Sequence, residues 1–217
     1  MAAQVQEQFL TPSEVVLLFG DQFVRKSMLG ERLMLVDKKV SMADLAYTMM
    51  TAGIFACQAR GLVTLNIEKG KALFGLMKTE KLKIAPGNGT ADWPQQSFEN
   101  VLLRALGSNV MELDDLIISY IGDIAASPEQ DFIQGVKGAL AARGIITAET
   151  KKVLGIFTGV NHSITPEQRA RIEQNGSADV TALLANAEKS QPDIFKKTRQ
   201  AVSSAFSNRT QQASGGD

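Results

Sequence analysis

Apolar residues recur at helical spacing through residues 41–60, and a β-branched stretch at 62–67 follows them directly. Gly61 stands between the two segments, where a glycine can adopt the left-handed conformation that ends a helix. A similar arrangement returns 83 residues later, where Gly144 ends the apolar pattern of residues 128–143. The sequence therefore predicts two helix-to-hairpin units that frame one core.

An arginine precedes each of these glycines, as Arg60 and Arg143. A cation in the last turn of a helix is favoured by the negative end of the helix dipole. Capping of the helix therefore explains both arginines, and a direct contact with a ligand is the alternative interpretation.

Each of the two helices leads into a predicted β-hairpin that carries lysines. The turn of the first hairpin is expected at residues 68–71, which include a glycine, and the turn of the second at 149–152. The predicted strands are 62–67 and 72–77 in the first hairpin, and 145–147 and 153–157 in the second.

Start and stop signals place the other helices. Thr11-Pro12-Ser13-Glu14, Ser127-Pro128-Glu129-Gln130 and Thr165-Pro166-Glu167-Gln168 each combine an N-cap residue, a proline at the first helical position and the acid or amide that closes a capping box. Asn175-Gly176 is a stop signal, and Pro192 separates the last two helices. Two further helices are predicted at about 93–106 and 113–121.

Together these elements predict a mostly α protein with small β-hairpins, built as a single compact multi-helix domain from which one hairpin protrudes. The domain covers residues 10–206. Residues 1–9 are expected to form a flexible N-terminus, and the polar residues 207–217 a disordered tail. Within the domain, the mixed segment 23–40 favours an irregular stretch with a short strand.

The amino-acid composition excludes several kinds of site and several classes of protein. Lysine plus arginine equals aspartate plus glutamate, 23 each, so any contact with nucleic acid or an anionic membrane must use a local patch. The single cysteine, Cys57, excludes an internal disulfide, and the single histidine, His162, excludes metal sites that need several imidazoles. Residues 1–9 lack the pattern of a targeting signal, and no apolar run approaches the roughly 20 residues of a membrane span. We therefore expect a reduced, cytoplasmic protein.

The sequence offers no catalytic arrangement. His162 stands in a turn predicted to follow a strand, and no glycine-flanked nucleophile accompanies it. Asp114 and Asp115 are adjacent, so on a helix they point about 100° apart and cannot face each other as acid and base. We therefore expect no enzyme, no cofactor and no metal, and by elimination a binding or adaptor role.

Five lysines leave the first hairpin locally basic, with an excess of three positive charges over Glu68 and Glu80. They either keep an exposed strand edge soluble or contact an anionic lipid. The candidate lipid-binding lysines are Lys69, Lys71, Lys78, Lys81 and Lys83.

The last helix has a weak basic amphipathic pattern. Phe195 and Arg199 share a face, and Lys196 and Lys197 flank it. Such a helix can lie on a membrane surface, although a terminal helix more commonly docks on its own domain.

Four short patterns follow one another along the chain: Leu10-Thr11-x-x-Glu14-x-x-Leu17-Leu18, Ala59-Arg60-Gly61-Leu62, Leu140-x-x-Arg143-Gly144-Ile145 and Lys152-Val153-Leu154-Gly155-Ile156-Phe157. In this order and spacing they resemble the Golgi phosphoprotein 3 family, from about Leu10 to about Ile172. The resemblance implies a mostly helical peripheral membrane protein that binds phosphatidylinositol 4-phosphate. In eukaryotes it also implies a role in retaining glycosyltransferases in the Golgi, and bacterial relatives exist.

The phosphoinositide pocket of that family uses a tryptophan and an arginine near the central helix and two arginines in the later helix. Counted from the arginine-glycine pairs, these positions fall here on Ser41, Met50, Gln130 and Ile133. None of these side chains can replace a guanidinium group on a phosphate. The resemblance therefore implies the fold of the family rather than its ligand.

Three functions remain as hypotheses. The first is a non-enzymatic peripheral-membrane adaptor that contacts an anionic lipid or a client protein tail through the basic hairpin and the last helix. A winged-helix-like nucleic-acid-binding protein is the alternative, which the zero net charge disfavours. The third is a cytosolic scaffold that pairs through the hairpin edge, which is also the expected route to a homo-oligomer.

Overall fold

The computed structural model describes residues 9–72, 77–122, 127–153 and 157–214, apart from the side chains of 71, 72, 77, 78, 151–153, 157, 158 and 210–214. The helices are α1 (Pro12–Leu18), α2 (Gly20–Phe23), α3 (Met42–Ala59), α4 (Phe98–Leu106), α5 (Leu113–Ile121), α6 (Pro128–Ala142), α7 (Pro166–Asn175), α8 (Ala178–Ser190) and α9 (Pro192–Ser214). The strands are β1 (Lys26–Arg32), β2 (Lys39–Val40), β3 (Val63–Ala72), β4 (Met77–Pro86), β5 (Met111–Glu112), β6 (Thr147–Val153) and β7 (Phe157–Ser163).

The described chain is mostly helical, with small antiparallel sheets, as the sequence predicts. Strand β1 pairs with β2, β4 lies between β3 and β5, and β6 pairs with β7. In the described part of the chain, no helix combines the length and the apolar character that crossing a membrane requires.

Both arginine-glycine pairs end helices, as predicted. Arg60 and Arg143 occupy the C-cap positions of α3 and α6, and the glycines that follow them have φ angles of 68° and 70°. At the other end of α3, the Ser41 hydroxyl accepts a hydrogen bond from the Asp44 amide at 3.2 Å. The limits of the central helix therefore follow from local sequence signals.

The turns predicted for the two hairpins are wrong, because both hairpins are longer. The expected turn at 68–71 lies inside β3, whose register with β4 runs from Val63 opposite Pro86 to Ala72 opposite Met77. The expected turn at 149–152 likewise lies inside β6, where Glu149 pairs with Asn161. The prediction failed because a solvent-exposed two-stranded ribbon carries many charged residues, and a run of charged residues in a sequence is also typical of a turn. The connecting residues 73–76 and 154–156 lie outside the described part of the chain.

Two other predicted boundaries change, and one predicted cap forms no hydrogen bond. Helix α4 begins at Phe98 rather than after Trp93, because Ser97 caps it by accepting a hydrogen bond from the Asn100 amide. Ser127 precedes α6 as expected but forms no capping hydrogen bond. The tail predicted to be disordered from residue 207 is helical as far as Ser214.

Helix α3 lies at the centre of the core, where it contacts α1, α4, α6, α8 and α9. Leu45, Met49 and Ala52 on this helix have no exposed surface, which confirms the predicted apolar stripe. Next to it, the ring of Phe132 packs edge-on against Phe98, with 5.2 Å between the ring centroids.

Two buried glutamates connect the start of α1 to the rest of the core. Glu14 accepts a hydrogen bond from the Thr11 amide at 2.9 Å, which forms the predicted capping box, and pairs with the Arg143 guanidinium at 2.5 Å. Glu99 on α4 accepts hydrogen bonds from the amide and the hydroxyl of Ser13, at 2.9 and 3.1 Å. Both carboxyl groups are fully buried.

Burial raises the pKa of Glu14 to about 7, against the opposing effect of Arg143 and with a further increase from the neighbouring Glu99. The pKa of Glu99 is also raised, because burial disfavours its charged form. A carboxyl group whose pKa is higher in the folded than in the unfolded protein stabilises the fold most when protonated. Its contribution is complete below about pH 4.5 and is lost as the pH rises through the folded pKa.

We expect the free energy of unfolding to decrease by about 1 kcal/mol between pH 6 and pH 8, since Glu14 must ionise in the folded state. Glu99→Gln keeps a hydrogen-bonding partner for Ser13 but removes one of the two buried titrating carboxyl groups, so the decrease should be smaller. Urea denaturation at the two pH values measures the difference. The exposed Glu188→Gln serves as the matched control and should behave like the wild type. Equal pH dependence in wild type and Glu99→Gln would contradict the interpretation.

Candidate functional site

The structure places two of the predicted lipid-binding lysines in ion pairs. Lys81 and Lys83 on β4 approach the same carboxylate, Glu112 on β5, at 2.5 and 3.4 Å, and Lys83 also lies 3.9 Å from Glu68. The hydrogen bond between Lys81 and Glu112 raises the pKa of the lysine and lowers that of the glutamate. These two lysines are therefore neutralised within their own sheet.

Of the remaining hairpin lysines, Lys69 has a carboxylate neighbour. Lys69 is exposed and lies opposite Glu80 in the register of β3 and β4. Glu80 also pairs at 3.0 Å with Lys197 of α9, and this contact lowers the pKa of the glutamate. Lys71 and Lys78 are opposite each other in the register, and their side chains lie outside the described part of the structure. The predicted basic patch is thus interleaved with carboxylates.

The apolar face of the last helix packs on the protein itself. Phe195 lies against Phe55 of α3, with 5.4 Å between the ring centroids, and Val202 and Phe206 are buried. Lys196 and Arg199 are exposed. The face that was predicted to contact a membrane is therefore covered by the domain, which is the commoner outcome for a terminal helix.

A different apolar surface is exposed on β1. Met28 and Leu29 are 92% and 86% exposed, and they lie in the irregular part of the strand. Lys26 and Glu31 both pair with Val40 of β2, so residues 27–30 bulge out of the ladder between them. We call Met28 and Leu29 the apolar projection.

Three cations lie on or next to the same pair of strands as the apolar projection: Arg25 just before β1, Lys26 at its start and Lys39 in β2. Arg25, Lys26 and Lys39 are exposed, and none of them forms an ion pair within 4.0 Å with any residue that the structure describes. The pattern analysis missed this surface, because two apolar residues in an irregular segment have no periodicity. Their exposure depends on how β1 pairs with β2, which is not a local property.

The positions that correspond to the family's phosphoinositide pocket do not form a phosphate site. Met50 and Ile133 have no exposed surface, and Ser41 caps α3. Gln130 is exposed near the start of α6. Since two of the four side chains lie in the core, a phosphate group could not reach them.

The sequence offers one histidine and two adjacent aspartates as groups for catalysis or metal binding. His162 lies within β7, opposite Ala148, rather than in the predicted turn, and burial lowers its pKa. Asp114 and Asp115 gather with Glu112, their carboxylate oxygens lying within 4.8 Å of one another. Within this group, Glu112 already forms ion pairs with Lys81 and Lys83.

Comparison with protein-family models, curated proteins and solved structures gave no match. The resemblance to the Golgi phosphoprotein 3 family therefore stays a prediction from the sequence.

Proposed function

We propose that this chain is a non-enzymatic peripheral-membrane protein that binds an anionic lipid surface through the apolar projection. The observation that carries the proposal is the exposure of two adjacent large apolar side chains, Met28 and Leu29, on a pair of strands that also carries exposed cations. An apolar tip with basic neighbours is the composition of segments that insert shallowly into a lipid interface.

The size of the surface favours a membrane over a protein partner. A standard protein interface buries roughly 800 Å² on each side, which two side chains on a bulge do not supply. In a lipid interface, each apolar side chain that leaves water contributes up to about 1.5–3 kcal/mol. Each nearby cation adds about 1 kcal/mol on an anionic leaflet. The sum supports reversible binding that weakens with salt.

The arrangement of the first hairpin argues against the nucleic-acid alternative. A winged helix needs an exposed recognition helix next to the wing. Here the helix that precedes the hairpin is α3, and its residues Leu45 to Cys57 lie mostly in the core. The adaptor role towards a client protein is retained only from the sequence resemblance.

We expect the double change Met28→Ser and Leu29→Ser to weaken binding to vesicles of phosphatidylcholine and phosphatidylserine at least about tenfold, since both insertable side chains are lost. Flotation of the vesicles measures the bound fraction. Val110→Ser is a matched control, because Val110 is also exposed, at 68%, but lies outside the projection. Equal recovery of the double variant and the wild type would contradict the proposal.

The charge requirement gives a separate test. Changing Arg25, Lys26 and Lys39 to glutamine should reduce recovery with anionic vesicles and remove most of its salt dependence, since these cations lack carboxylate partners. The reversal of Lys69 and Lys81 to glutamate should leave recovery unchanged. Loss of binding in the hairpin variant alone would transfer the contact to the hairpin.

A further inference from the structure

Two adjoining cavities open between the start of α1, the end of α3 and the helices α7 and α8. Their volumes are about 410 and about 260 Å³, and both are lined by Phe9, Leu10 and Asn175. Because they share these lining residues, the two cavities lie side by side, and we call them together the arginine groove. Its size lies within the range of roughly 300–1,000 Å³ that small-molecule sites occupy.

The two parts of the groove differ in polarity. The smaller part is lined mainly by hydrocarbon side chains, among them Val15, Val180 and Leu183. The larger part presents the guanidinium group of Arg171 and the amide of Gln174. A groove that is apolar at one end and polar at the other matches the polarity of an amphiphile.

The lining is positively charged. Arg60, Arg143 and Arg171 line the groove, and Asp179 is the one acidic residue among the described lining. The guanidinium group of Arg143 already forms an ion pair with Glu14. Arg60 and Arg171 are exposed and form no ion pair within 4.0 Å in the described ranges. An anionic group thus finds two guanidinium groups that no described carboxylate approaches within 4.0 Å.

Arg60 is held at the groove by aromatic rings. Its guanidinium carbon lies 4.0 Å from the centroid of Trp93 and 5.7 Å from that of Phe9, which is the geometry of a cation–π contact. Trp93 is the one tryptophan of the sequence. Its fluorescence therefore reports on the groove without interference from a second tryptophan.

We propose that the arginine groove binds a single-chain anionic amphiphile, with its alkyl chain in the apolar part and its carboxylate or phosphate on Arg171. A guanidinium group suits either head group, because it can donate two parallel hydrogen bonds. The site does not depend on the membrane contact proposed above. It lies at the carboxyl end of α3, whereas the apolar projection precedes the amino end of that 18-residue helix.

Titration of the full chain with dodecyl phosphate or dodecanoate, each below its micelle concentration, tests the proposal through Trp93 fluorescence. We expect a saturable change with at least one of the two probes. Arg171→Gln should weaken the affinity at least about tenfold, because a charge-assisted contact is lost. Leu183→Asn should weaken it through the apolar part. Arg199→Gln, an exposed arginine elsewhere, is the matched control and should bind as the wild type does.

The two probes separate the sources of such a ligand. Tighter binding of dodecyl phosphate indicates a phospholipid-type head group, and tighter binding of dodecanoate indicates a fatty acid. Circular dichroism establishes that each variant is folded. The proposal is overturned if neither probe gives a saturable change, if neutral dodecyl maltoside binds equally well, or if Arg171→Gln retains the affinity of the wild type. None of these results depends on vesicle flotation.

Discussion

The buried ion pair between Glu14 and Arg143 is the interaction on which the arrangement of the helices depends. It joins the first turn of α1 to the C-cap residue of α6 at 2.5 Å. The same guanidinium donates to the carbonyls of Phe9 and Ala139, so its donors are shared between two chain segments. Removal of Arg143 would leave the buried Glu14 carboxyl protonated and without its hydrogen-bonding partner, which is more costly than the loss of a surface pair.

This pair also explains why one end of the molecule has an open groove. Arg143 fixes the backbone at Phe9, and Phe9 in turn lies against the stacked side chains of Arg60 and Trp93. The start of α1 is therefore held at a distance from α7 and α8 that leaves space between them. The two arginines that end helices therefore have different roles. Arg143 pairs with a buried glutamate, whereas Arg60 is exposed to solvent.

Much of the helical structure could be predicted, because its signals are local. The capping boxes at Thr11 and Thr165 and the terminal glycines Gly61 and Gly144 act within a few residues of one another. The ion pairs that neutralise the first hairpin could not be predicted. They join strands through Glu112, which lies 31 residues beyond Lys81, and through Lys197 on the last helix. Net charge along the sequence therefore overstated the basic character of that surface.

The apolar projection depends on a glycine whose role is also non-local. A Cβ atom at Gly30 would lie 2.0 Å from the carbonyl oxygen of Val40, so no other residue fits there without movement of the backbone. This close approach lets Lys26 and Glu31 share one partner residue, and the residues between them must leave the ladder. Met28 and Leu29 are exposed for that reason and not because a helix or strand face was left uncovered. Their exposure is built into the pairing of β1 with β2, which keeps the two side chains at the surface, whereas Leu33, Leu35 and Val40 pack in the core.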